Sequence, residues 1–421
     1  MVTIEHLLGD ISLPTFLKEY WQKKPLLIRN AIPDYSCPIT ANDMAGLACE
    51  EGVESRIILG KNNDHWECRY GPFDDAEFSQ LPDTCWTLLL QSCNLYVAEF
   101  AQLLERFRFI PSWRVDDIML SYAAPGGSVG PHTDQYDVFL LQAEGQRHWS
   151  ISTQAVSSND FINDLEVKIL KKFVAEQSWV LEPGDMLYLP PGVAHHGVAV
   201  ASDNVSDSSE LRSEVDSLEK SKDCITISIG FRAPDTLALS TALLDEILEQ
   251  DTEAMVGTSL NSVFYNDSGL PLQKHSGEIN AWALQRITSL MQKELTKQIT
   301  NSVWFGKYIT RTDDVVEVPT LDLSSAAVEK LIMEGQQLLR SEYSKFAFIV
   351  SELKDDNSKQ AIQFFCNGEV SYYPLSAFDL ISLLCDTRYP SAHLLVNIVK
   401  DDDALTLLCE LVNQGHFTVE L

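Results

Sequence analysis

The order of hydrophobic and polar positions divides the chain into three textures. Leu13–Trp21 (LPTFLKEYW) places apolar residues at helical spacing and stops before Lys23-Lys24-Pro25, where the proline ends the helix. Tyr96–Phe107 repeats apolar residues three and four apart and predicts another helix. Between Ile118 and Phe231 the runs become short and β-like, bounded by Gly and Pro: Ile118–Tyr122, Val138–Gln142, Arg147–Ser152, Trp179–Leu181, Asp185–Leu189, Gly197–Ala201 and Ile225–Phe231. Short strands at regular spacing predict a sandwich or barrel. Past Pro234 the 3.6-residue period returns at Thr236–Glu249, Ile279–Lys297 and Val303–Ile309. From Val315 onward the pattern is mixed, with helices predicted at Ala326–Arg340, Phe378–Leu384 and Ala404–Gln414 and strands at Phe346–Val350 and Ile362–Phe365. No internal repeat is visible.

Composition narrows what such a chain can do. Of 421 residues, 45% are hydrophobic, enough apolar surface to exclude a disordered polyanion. The 61 Asp and Glu against 31 Lys and Arg leave a formal charge of −30, which disfavours free binding to phosphate backbones and favours steering of a basic partner. Residues 311–421 hold 18 acids and 8 bases, so a helix-turn-helix-like fold there would read DNA poorly. Nine cysteines are scattered without a Cys-x-x-Cys, which predicts free thiols rather than disulfides or a zinc ribbon. No apolar run reaches the ~20 residues of a bilayer span, and the start lacks a basic, then apolar, signal pattern, so a soluble cytoplasmic chain is expected. Ala201–Asp223 combines seven Ser with seven acids and reads as a solvated insertion between two strands.

The chemistry concentrates in the β region. His132 and Asp134 form a His-x-Asp pair just before a strand, where residues two apart share a face and can address one ion. A third ligand lies 63 residues on, in Pro190-Pro191-Gly192-Val193-Ala194-His195-His196-Gly197, directly after another strand. Two His and one carboxylate with open positions make the facial triad of non-haem Fe(II) oxygenases, whereas His-x-Asp alone is also what a solvated surface pair looks like. Zinc remains open on ligand type, although a closed zinc site would want four protein ligands. His195 and His196 compete for the third position and point to opposite faces, so only one should bind. On the return strand of the hairpin at Ala143–Gln146, Arg147 falls on the apolar face with Trp149 and Ile151. Unless it snorkels to the rim, a guanidinium there needs a carboxylate, supplied either by an internal ion pair or by a dicarboxylic cosubstrate. Asp117 shares a face with Met119 and Ser121; it is either a strand-start acid in water or a carboxylate facing the metal, suited to a cationic side chain such as arginine, which Tyr136 could stack on.

The run WRVDDIML, the stretch PGGSVGPHTDQYDVFLLQAEGQRHWSI, the turn LEPGDMLYLPPGVAHHG and the strand SIGFRAP resemble the bacterial ribosomal oxygenases of the JmjC class, over about residues 110–235. The resemblance implies a mainly β catalytic core, a cupin-type double-stranded β-helix, followed by an α-helical dimerisation module and a C-terminal α+β winged-helix-like domain. The implied boundaries are 1–234, 235–312 and 313–421. It implies an Fe(II)- and 2-oxoglutarate-dependent dioxygenase using O2, with His132, Asp134 and His195 on iron, Arg147 on the distal carboxylate of 2-oxoglutarate, and Asp117, Met119 and Tyr136 around a substrate arginine. The implied reaction is 3-hydroxylation of an arginine in a basic large-subunit ribosomal protein by a homodimeric enzyme, without direct nucleic-acid or membrane binding. A JmjC hydroxylase of a histidyl residue, an N-methyl-lysine demethylase, a cupin isomerase and a noncatalytic cupin binding protein are the other readings. The chain departs from the family pattern in the length of its 201–223 insertion and in carrying a histidine at 196.

Overall fold

The computed structural model describes residues 7–60, 66–162, 168–201, 223–255, 265–266, 268, 279–312, 321–352 and 360–419. The insertion at 201–223 lies almost wholly outside them. The chain divides into two compact units, Met1–Ala233 and Pro234–Leu421.

The first unit begins with α1 (Leu13–Glu19), whose Ser12 caps the helix through Thr15 N–H. The elements that follow are β1 (Leu26–Ile28), α2 (Ala41–Ala48), β2 (Ser55–Gly60), β3 (Trp66–Tyr70), α3 (Asp75–Phe78), β4 (Trp86–Leu90) and α4 (Ala98–Leu104). Then come β5 (Val115–Ala123), β6 (His132–Thr133), β7 (Asp137–Glu144), β8 (Arg147–Ser152), β9 (Gln177–Leu181), β10 (Met186–Leu189), β11 (Ala194–Ala199) and β12 (Cys224–Phe231). They form an eight-stranded sheet, β1-β10-β7-β12-β5-β4-β2-β3, and a four-stranded sheet, β6-β11-β8-β9.

Alternation along β12, CITISIGF, explains why the larger sheet has two different faces. Ile225, Ile227, Ile229 and Phe231 pack with Phe16, Phe100 and Phe107 from the N-terminal helical region, while Thr226, Ser228 and Gly230 face a cavity. β7 alternates likewise, Phe139 and Leu141 joining the helical side and Val138 and Leu140 the inner side. The buried Asp137 ties these pieces together, accepting from Tyr188 Oη (2.6 Å), Gln22 Nε2 (2.9 Å) and Arg114 Nη2 (3.3 Å).

Residues 25–95, for which periodicity assigned no element, add four strands to this sheet. β2 and β4 are buried along nearly their whole length, so they show no polar alternation to read. The helix predicted over Tyr96–Phe107 is shorter, its last turn a 3₁₀ segment at Glu105–Phe107.

The second unit contains α5 (Thr236–Met255), α6 (Ala281–Ile299), α7 (Val303–Thr310), α8 (Ser325–Met333), β13 (Leu338–Arg340), β14 (Phe346–Glu352), β15 (Gln360–Cys366), β16 (Glu369–Pro374), α9 (Phe378–Asp386), α10 (Ala392–Ile398), α11 (Asp402–Asn413) and β17 (Phe417–Val419). A three-stranded sheet, β14-β15-β16, and the pair β13-β17 pack with α8 to α11 around Ile332, Leu380 and Leu408. The helix expected over Ala326–Arg340 ends at Met333, because Gly335 takes a left-handed conformation and Leu338–Arg340 then pairs with β17. All nine cysteines are free, with Cys85 exposed. No helix among the described residues is long and apolar enough to cross a membrane.

Candidate active site

Strand pairing brings the distant histidines together. β11 pairs antiparallel with β6, setting His195 directly opposite His132. Their ring centroids are 4.2 Å apart. Asp134, just past β6, places Oδ2 3.5 Å from His195 Nε2 and Oδ1 4.0 Å from His132 Nε2. One ligand atom from each of the three lies within 4.8 Å of the others, the arrangement a single ion needs. Each histidine presents Nε2 for a physical reason: His132 Nδ1 bonds to Gly130 O (2.9 Å) and His195 Nδ1 to Val193 O (3.0 Å), which places a proton on Nδ1 and makes Nε2 the ligand atom of the neutral ring.

His195 is 2% exposed, and burial together with the neighbouring His132 pushes its pKa down to about 4. It is therefore neutral near pH 7, as a metal ligand must be. His196 turns away, its ring 6.0 Å from Phe173, and burial holds it near 4 as well. In the metal-free protein these shifts set a pH dependence. The unfolded histidines bind protons near 6.5 and the folded ones only near 4, so stability is full above pH 6.5 and is lost as pH falls from 6.5 to 4. Denaturant midpoints measured on metal-free protein between pH 7 and 4 should fall accordingly, with a shallower fall in His196→Gln.

The triad opens on a cavity of about 360 Å³ between the inner faces of the two sheets. Arg147, at the start of β8, lines it and is 3% exposed. Its Nη1 donates to Ser121 Oγ (3.1 Å), while Nε and Nη2 have no hydrogen-bond partner. Among the described residues no carboxylate pairs with it, so the internal ion pair that sequence left open is not the answer. Trp149 Nε1 is a further unpartnered buried donor on a residue lining the cavity. The indole lies against Gly197, where a Cβ would come within 2.7 Å of the ring. Three buried donors without acceptors are costly in an empty protein and natural in one that binds an anion.

Asp117 also lines the cavity, together with Met119 and Tyr136. Its Oδ2 accepts from Gln91 Nε2 and from Ser92 N–H, both at 2.8 Å, and the Ser92 side chain bonds to the carboxylate as well. Gln91 is oriented unambiguously, because its Oε1 faces the donor-only Arg56 Nη2 (3.4 Å) and its amide the acceptor-only carboxylate. Burial raises the Asp117 pKa, opposed by the Ser92 and Gln91 bonds.

A JmjC domain model matches residues 102–217, and a ROXA-like winged helix model matches residues 294–418. The chain is 27% identical to the ribosomal protein uL16 3-hydroxylase of Escherichia coli, over 97% of this chain and 98% of that protein. The chain thus carries a JmjC domain and a ROXA-like winged helix and is homologous along its whole length to a ribosomal oxygenase. A probable ribosomal oxygenase of Haemophilus influenzae is 35% identical to this chain over 59% of it and 55% of that protein. A structure of the Escherichia coli ribosomal oxygenase YcfD in complex with cobalt and 2-oxoglutarate superposes with a TM-score of 0.76 at 26% identity, covering 98% of this chain and 99% of that one.

Sequence reasoning missed Arg56, Gln91 and Gly230 as parts of the cavity, and the unpartnered Nε1 of Trp149. Arg56 lies on β2 and Gln91 directly follows β4, strands that periodicity did not show. Trp149 was placed on the right face but read only as apolar.

Proposed function

We propose that the chain is an Fe(II)- and 2-oxoglutarate-dependent dioxygenase that hydroxylates Cβ of an arginine side chain in a large-subunit ribosomal protein. His132, Asp134 and His195 would hold the iron, Arg147 the distal carboxylate of 2-oxoglutarate, and Asp117, Met119 and Tyr136 the substrate arginine. The residues present fit both groups: two imidazoles and one carboxylate suit Fe(II), and the unpartnered Arg147 nitrogens match a carboxylate. When bound, iron and 2-oxoglutarate supply O2 activation, one oxygen atom entering the C–H bond and the other going to succinate as CO2 leaves.

What the chain itself contributes is placement. The Nδ1–H bonds to Gly130 and Val193 fix both imidazoles, and the Ser121 contact aims Arg147 into the cavity. Gln91 and Ser92 hold the Asp117 carboxylate in place for a guanidinium, whose charge would offset the cost of burying it. The observation that carries the reading is the buried Arg147 with two unpaired nitrogens in the same cavity as the triad.

A helical homodimer and a cytoplasmic site of action belong to the same reading. Leu237 and Leu244 on α5, and Leu284, Ile287 and Met291 on α6, are exposed at helical spacing, the pattern of a face that another surface covers. The basic substrate would be met as protein rather than as an RNA-bound particle, drawn by the charge of −30.

Incubating purified large-subunit ribosomal proteins with the enzyme, Fe(II) and 2-oxoglutarate should add one oxygen to one of them. Peptide sequencing should locate it on an arginine. Addition to histidine, or loss of a methyl group from lysine, would overturn the arginine assignment; no oxygenated product with any candidate would overturn the activity.

A further inference from the structure

The strand carrying Asp117 is out of register with its neighbour at one place. Between β12 and β5, Ile229 pairs with Ile118 and Phe231 with Val115, so two residues, Asp116 and Asp117, stand opposite Gly230 alone. Such a bulge re-aims side chains. Asp116 turns to Arg232 (3.0 Å), and Asp117 turns into the cavity.

Gly230 lines the cavity opposite that bulge, and the space its missing side chain leaves is bounded by the substrate-facing groups. A Cβ built there would lie 3.6 Å from Asp117 Oδ1 and 3.8 Å from the Tyr136 ring. Both are ordinary van der Waals contacts, so a methyl group fits without strain and fills the corner. Gly230 is not among the residues with positive φ, so the backbone there does not demand glycine. Neither strain nor packing explains glycine at this position. The Asp117 Oδ1 beside it does, because a nitrogen donating to that oxygen needs the same volume.

We propose that Gly230 sets the length of side chain the pocket accepts: its bare backbone is the end wall against which the terminal nitrogen of a substrate guanidinium reaches Asp117 Oδ1. The inference rests on the assignment of Asp117 and Tyr136 to the substrate arginine. Gly230→Ala moves the wall inward by one methyl group. A guanidinium on a side chain one methylene shorter retracts by about 1.3 Å and clears it.

The test compares kcat/KM, by hydroxylated product in the iron-loaded enzyme, for peptides carrying arginine, its one-methylene-shorter homologue or its one-methylene-longer homologue. Gly230→Ala should lower the ratio of arginine to the shorter homologue by about tenfold or more, mainly through KM, since one methylene in a fitted pocket is worth ~10–200-fold. The unsubstituted enzyme should refuse the longer homologue by a similar factor, a measurement that needs no variant to fold. An unchanged ratio in Gly230→Ala, or equal turnover of arginine and the longer homologue, overturns the role of Gly230. If Asp117→Asn still depresses arginine turnover in that case, the assignment of Asp117 stands; if Asp117→Asn is also without effect, that assignment falls with it.

Discussion

Asp134→Ala is expected to abolish 2-oxoglutarate turnover while leaving the fold intact. Asp134 contributes the one anionic donor to the cluster, and its two oxygens face the two imidazoles at 3.5 and 4.0 Å. Without it, two neutral nitrogens face a divalent ion with no charge to offset it. Changing residues that merely orient metal ligands costs roughly 10–100-fold, so loss of a ligand should exceed about 100-fold in turnover. The fold should survive because the structural bond at this position uses the backbone: Gly192 N–H donates to Asp134 O at 2.8 Å, and alanine keeps that acceptor. Succinate formation and a thermal melt on the same preparation check both halves. Turnover at the unsubstituted rate would overturn the iron assignment, and His132→Ala should behave in the same way.

The parts of this site that could be read from sequence are those where a residue type announces its own chemistry. His132, Asp134 and His195 stand out because imidazoles and carboxylates at turn-flanked strand ends have few other uses. Arg147 stood out because strand alternation put a charge on an apolar face. What escaped notice works by position or by absence. Gln91 directly follows β4, a strand without alternation because both of its faces are buried. Gly230 looks like any strand glycine until the bulge at Asp116–Asp117 sets a carboxylate oxygen beside it. The fold divides similarly. β7, β8 and β12 show one apolar and one polar or cavity face and were legible. β1 to β4 were not, nor was the end of α8, where local periodicity runs on past the glycine that stops the helix.

Arg147→Met should separate stability from function in opposite directions. In the protein without cosubstrate, the Arg147 guanidinium is buried with one bond, to Ser121, and two nitrogens without acceptors. Replacing an uncompensated buried charge with an apolar side chain of similar length is commonly neutral or stabilising, by up to a few kcal/mol. The substituted apoprotein should therefore melt at the same temperature as the unsubstituted one, or higher. Its use of 2-oxoglutarate should fail. Arg147 lies opposite Ala199 on β11, four residues and about 13 Å of strand from His195, a span bridged by an arginine reaching back and a five-carbon diacid reaching out. A charge-assisted bond at that distal carboxylate contributes about 1.5–3 kcal/mol, so the 2-oxoglutarate requirement should rise by about 10- to 100-fold. Arg147→Lys, which keeps the charge but loses the fork, should fall between. Adding 2-oxoglutarate with a metal should raise the melting temperature of the unsubstituted protein and not that of Arg147→Met. Equal ligand-induced shifts in the two proteins, or an unaltered 2-oxoglutarate requirement, would show that the cosubstrate is held elsewhere.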